Sequence, residues 1–111
     1  MRRARPFYIG GRGYDMRNCA GVTKEAAMEK LGVIGGMGAE ATSYYYDQVV
    51  RHTAATCDQE HIDMVVLSKS SMPDRTLAIK TGEHAELLAT MKECAQALEA
   101  LGCAHIAIPC N

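Results

Sequence analysis

The sequence has no surplus of charge of either sign: 12 lysines and arginines stand against 13 aspartates and glutamates, a formal net charge of −1. A chain so balanced offers no electrostatic case for nucleic acid or an anionic membrane surface as partner. It also lacks any apolar run approaching the roughly 18 to 20 residues that cross a bilayer. Arg2, Arg3 and Arg5 carry the charge of a secretory leader, but Pro6-Phe7-Tyr8-Ile9-Gly10-Gly11 is too short and too glycine-rich to be its apolar core. The five cysteines include no C-x-x-C pair, and Cys57, Cys94, Cys103 and Cys110 are scattered through helix and strand patterns rather than set out as a disulfide framework. A reducing cytoplasm is the location this implies. Metal-ligand spacing is missing too: His52, Cys57 and His61 straddle a helix end and a loop, and His105 begins an apolar run, so no metal is expected. There is no internal repeat and no low-complexity tract.

What remains is the composition of an ordinary globular chain, and 111 residues suffice for one domain. Residues 1–27 hold Gly10, Gly11, Gly13 and several arginines without a helical or strand period. We expect this stretch to be an extension, disordered or absent from the natural product, with Met28 as the natural start. From there short apolar runs alternate with helical periods. Leu31 to Gly36 is an apolar run closed by glycines. Ala39 to about Thr56 has helical spacing, with Ala41, Tyr45, Val49 and His52 or Thr53 on one face. After a polar connection, Ile62 to Leu67 is apolar on both sides, as parallel strands are when helices cover both faces. Asp74 caps a short helix reaching about Ile79. From Gly82 to Leu101 a stripe of Leu87, Met91, Cys94, Ala95, Leu98 and Leu101 gives the strongest helix, ended by Gly102 in the left-handed position. His105-Ile106-Ala107-Ile108 is the third strand, stopped by Pro109. The pattern is α/β: a parallel three-stranded sheet with flanking helices, its strands' C-terminal ends on one rim. A domain does not normally finish on a core strand without its covering helix, so residues 28–111 read as part of a larger protein.

That rim gathers the residues with chemistry to offer. Gly36-x-Gly38-x-x-Ala41 formally fits a dinucleotide fingerprint. Such turns hold anions through backbone N–H groups, but the acidic residue that should end the second strand is replaced by Leu67-Ser68-Lys69. A small carboxylate, a nucleotide and a purely structural turn are the three readings left. Arg75 can take a carboxylate with two parallel hydrogen bonds, or can be a solvated arginine paired with Asp74. Buried cysteine behaves as a small hydrophobe, which suits Cys94 and Cys103, whereas Cys110 stands at a strand's end, a position that favours a reactive thiol. Tyr44, Tyr45 and Tyr46 point three ways from one helix and make no stacking platform for bases.

Three stretches, LGVIGGMGAEAT, SSMPDRT and IAIPCN, in this order, closely resemble the aspartate/glutamate racemase family, and its aspartate racemase members in particular. The resemblance spans about residues 29 to 111. It implies a cofactor-independent amino-acid racemase built from two similar α/β halves, each supplying one cysteine. One cysteine removes the Cα proton as thiolate, and the other returns a proton to the opposite face as thiol. On this resemblance Cys110 is the first of the two and Arg75 binds a substrate carboxylate. Asn111 helps to hold the α-carboxylate, and Met37 and Gly38 line the pocket with backbone groups. Ala39 stands where the family commonly has proline. Lys69-Ser70 replaces a common Asn-Pro, so Lys69 either adds charge for a dicarboxylic substrate or alters specificity. The resemblance implies a small amino-acid substrate, aspartate, glutamate or a related compound, and kinship implies a homodimer for the full-length protein.

The second cysteine belongs to the other half of such a protein, so the 111-residue chain is expected to be inactive alone. The other readings of the sequence are a carboxylate-binding module without turnover, the remnant of an interrupted gene, and a nucleotide-binding α/β domain.

Overall fold

The structure, a computed structural model, describes residues 29–110. The expectations for residues 1–27, for Met28 as the start and for Asn111 fall outside those residues. Strands β1 (Lys30–Gly35), β2 (Met64–Ser68) and β3 (Cys103–Ala107) form one parallel sheet in the order β2-β1-β3. Helix α1 (Ala39–His52) joins β1 to β2, and α2 (Arg75–Thr81) and α3 (Ala85–Ala100) join β2 to β3. The α/β class with a three-stranded parallel sheet is the one the alternating pattern implies.

The central strand shows how the layers fit. A Cβ on Gly32 would lie 3.1 Å from both Leu98 Cδ1 and Cys103 Sγ, whereas one on Gly35 would meet Thr42 Cγ2 at only 2.4 Å. Residues an odd number apart on a strand point to opposite faces. Leu98 in α3 and Thr42 in α1 therefore press on opposite sides of β1, and the glycines permit the approach. This is also what a common crossover hand requires when one connection steps from β1 to β2 and the next returns past β1 to β3. The core holds Ile34, Met72, Ala78, Leu87, Cys94, Leu98 and Cys103. A slip between Lys30 and Leu31 in the β1–β3 register places Leu31 opposite His105 rather than Ala104.

The helix ends differ from the sequence pattern for identifiable reasons. Helix α1 stops at His52 rather than near Thr56, because Thr53 turns to extended backbone (ψ 121°) while its hydroxyl donates to Val49 O at 2.6 Å. Its one fully buried residue is Thr42 rather than a member of the expected apolar stripe, and His52 is exposed. Asp74 does cap α2, its Oδ1 accepting from Leu77 N at 3.1 Å. Gly82 (φ 74°) closes α2 with its N–H on Ala78 O, so α3 begins at Ala85 and not at Gly82. Leu87, Cys94 and Leu98 are the buried stripe of α3, but Leu101 lies past the helix end and is exposed. Gly102 (φ 85°) makes the left-handed exit, and Lys30 Nζ donates to Leu101 O at 3.2 Å. Strand β2 starts at Met64, leaving Ile62 exposed. Strand β3 runs from Cys103 and stops before Ile108.

Cys94 and Cys103 are buried thiols in the core, as expected. Cys57, in contrast, is fully buried and disulfide-bonded. Spacing along the chain could not show this, because bridging depends on what the fold brings together. Beside Cys57, Thr56 donates to Glu60 Oε2 from its N–H at 2.6 Å and from its hydroxyl at 3.0 Å. These bonds hold the Glu60 carboxyl below its ordinary range, chiefly through the Thr56 backbone and then its hydroxyl. No helix among the described residues is long and apolar enough to cross a membrane.

Leu98 is completely buried and Leu88 is exposed on the same helix. Leu98→Ala should cost about 3 kcal/mol in urea unfolding, and Leu88→Ala no more than about 0.5 kcal/mol. A carboxyl whose pKa is lowered by folding stabilises the fold above its ordinary range, and that contribution is lost as pH falls through the lowered value. Glu60→Gln should therefore flatten the loss of thermal stability expected between about pH 5 and pH 3, read by thermal unfolding at a series of pH values.

Candidate active site

The three strands deliver their C-terminal ends to one rim, and the backbone there is tightly fitted. Gly36 follows β1 with φ 99°, and a Cβ on it would come within 2.4 Å of the Lys69 carbonyl carbon just beyond β2. Only glycine meets both conditions, a left-handed backbone and contact with another main chain. Lys69 N–H donates to Gly35 O at 3.0 Å, carrying the ladder one step past β2, and Met72 N–H returns to Lys69 O at 3.2 Å. Thr42 closes the turn from the other side. Its hydroxyl accepts from Gly36 N–H at 2.9 Å and donates to Gly38 O at 3.0 Å. Periodicity gave no hint of this role, although a hydroxyl four residues beyond a turn glycine is placed for such a back-bond.

From Met72 the chain runs through Pro73 to the Asp74 cap, which makes Arg75 the first residue of α2. Its guanidinium crosses the rim: Arg75 Nη1 donates to Cys110 Sγ at 2.5 Å. Thirty-five residues apart in sequence, the two meet because α2 starts beside the end of β3. The alternative pairing of Arg75 with Asp74 is not found, since that carboxylate is occupied by Leu77 N–H and makes no salt bridge among the described residues.

Two depressions open on either side of this contact. One, about 280 Å³, is lined by Gly36, Met37, Met72 and the Pro73–Thr76 segment that includes Arg75. The other, about 440 Å³, lies between the first turns of α1 and the end of β3, with Glu40, Tyr44, Tyr45 and Gln48 on one wall and Pro109 and Cys110 on the other. The residues singled out from the sequence thus fall into three groups. Met37, Arg75 and Cys110 line the depressions. Gly38 and Lys69 stand at the rim but line neither, Gly38 giving its carbonyl to Thr42 and Lys69 giving its backbone to Gly36. Asn111 lies outside the described residues. Glu40, Tyr45 and Gln48 were not marked as site residues by the sequence, since on a helical wheel Glu40 and Gln48 look like an ordinary solvated face and Tyr45 falls on the face expected against the sheet. A third depression, about 260 Å³, lies beside Val49, Val50, His61 and Met64 near the start of β2, at the other end of the strands. Among the described residues, no three or more His, Cys, Asp or Glu are grouped to hold a metal ion.

A sequence model of the Asp/Glu/hydantoin racemase family matches residues 34–111. The chain belongs to that family. The match begins inside β1 and takes in every rim residue just described, from the glycine turn to Cys110. The Arg75–Cys110 contact falls at the strand ends, where open parallel sheets bind ligands.

The two turn glycines should respond differently to alanine. Gly36→Ala meets both the positive φ and the Lys69 backbone and should cost about 2 kcal/mol or more, whereas Gly38 (φ −103°, with open space where a Cβ would go) should accept alanine within about 0.5 kcal/mol, both read by denaturant unfolding.

Proposed function

We propose that this chain provides one of the two proton-transfer faces of a cofactor-independent amino-acid racemase acting on aspartate or glutamate. The observation that carries the reading is the meeting of Arg75 and Cys110 at the strand ends. In this mechanism the guanidinium takes a substrate carboxylate through two parallel hydrogen bonds, which brings the amino acid's Cα beside the sulfur. Cys110 as thiolate withdraws the Cα proton, becoming a thiol, and leaves a planar carbanion. A second thiol on the far side gives up its proton to that carbon, becoming a thiolate, and the configuration is inverted with protons balanced. The reverse turnover exchanges the two roles.

Inversion needs acid/base groups on both faces, and Cys110 is the only exposed cysteine among the described residues, since Cys57, Cys94 and Cys103 are buried. The partner group then comes from a second half of the protein. Lys69 and Asn111 complete the carboxylate-holding set in this reading, with Met37 lining the pocket. The nucleotide reading has less support. Thr42 already occupies the Gly36 amide that a phosphate would use, and Ser68 and Lys69 stand where a ribose-binding acid is needed.

Arg75→Ala should weaken L-aspartate binding to the 111-residue chain about tenfold or more in an NMR titration, while unchanged affinity would remove Arg75 from the site. The same chain should leave the optical rotation of L-aspartate unchanged, and a steady loss of rotation would show that one sulfur is enough.

A further inference from the structure

We infer that Glu40 receives the substrate's α-ammonium, so that the site selects zwitterionic amino acids over the ring substrates and plain dicarboxylates that its thiol and arginine alone would admit. The inference rests on the racemase reading and refines it. The depression that contains Cys110 has one charged side chain on its opposite wall, Glu40. That carboxylate forms no salt bridge and no side-chain hydrogen bond among the described residues, unlike Asp47, which is tied to Arg51. Arg75 reaches the same sulfur from the neighbouring depression. A cation and an anion thus flank Cys110 from two sides. A bound amino acid carries its charges in the complementary order, carboxylate to one side of Cα and ammonium to the other. An ion aligned between Arg75 and Glu40 would have its Cα between them, beside the depression that Glu40 and Cys110 both line.

Charge decides which molecules suit this arrangement. Succinate has the carboxylates of aspartate but no ammonium, and it would leave Glu40 unpaired beside a like charge. A hydantoin presents a ring with neither a carboxylate for Arg75 nor an ammonium for Glu40. Specificity in such a site comes as much from the unpaired charge left by the wrong ligand as from the bonds made by the right one. Glu40 also lies in the first turn of α1, where a carboxylate interacts favourably with the helix N-terminus. That role affects stability and is indifferent to the ligand, so the two are separable.

The test is protection of Cys110 from iodoacetamide in the 111-residue chain, followed by peptide mass spectrometry. L-aspartate should protect at about tenfold lower concentration than succinate. Glu40→Gln should bring aspartate down to the level of succinate, with succinate unchanged or improved, and Glu40→Asp should retain part of the preference. Equal protection by succinate and aspartate in the unaltered chain would overturn the inference without any variant being needed. So would an aspartate preference that survives in Glu40→Gln, and in both cases the racemase reading would stand. Protection by neither ligand would overturn the racemase reading and this inference with it.

Discussion

Gly36 touches the main chain of Lys69 so closely that no side chain can stand between them, and much of the rim takes its position from that contact. The turn is fixed on one side by the loop after β2 and on the other by the Thr42 hydroxyl, which ties two of its peptides to the first turn of α1. The start of α1 is thereby held against the end of β1, and with it Glu40 and the tyrosine wall. On the opposite side the Lys69 carbonyl directs the chain through Met72 toward the Asp74 cap and Arg75. Two charged groups reach the neighbourhood of one sulfur because two loops are fastened to the same glycine.

Fastening of this kind suits chemistry that depends on placement. In the proposed reaction, removing a proton from Cα is hard because the carbanion is poorly stabilised, and the protein's contribution would be to hold the carboxylate and the thiol in fixed relation. Rigid strand ends and helix starts hold such groups better than free loops do. Met37, Arg75 and Glu40 each lie within a few residues of a strand end or a helix cap.

The order of strands and helices was legible because the apolar runs are short, the helical stripes are long, and Asp74 and Gly102 are chemically unambiguous caps. Helix boundaries were less so. Gly82 looks like the start of the long helix and is the left-handed end of the short one, because a glycine between two helical periods belongs to whichever side needs the positive φ. Motif resemblance singles out Cys110 and Arg75 but not their contact, since that depends on where α2 begins relative to β3. Thr42 went unseen because its partners are backbone atoms of a turn, which leave no trace in hydrophobic periodicity. Glu40 went unmarked because an exposed acid looks the same in sequence whether or not it lines a depression.

The sheet order has a dynamic consequence. With β1 paired on both sides and β3 on one, the amides of β1 should exchange with solvent only when the whole sheet opens, while those toward the end of β3 can open locally by fraying. The thiol thus follows one of the two edge strands, and the glycine turn follows the strand paired on both sides. In the proposed reaction the sulfur would then sit on the side of the rim that opens first, and the glycine turn on the side that opens last.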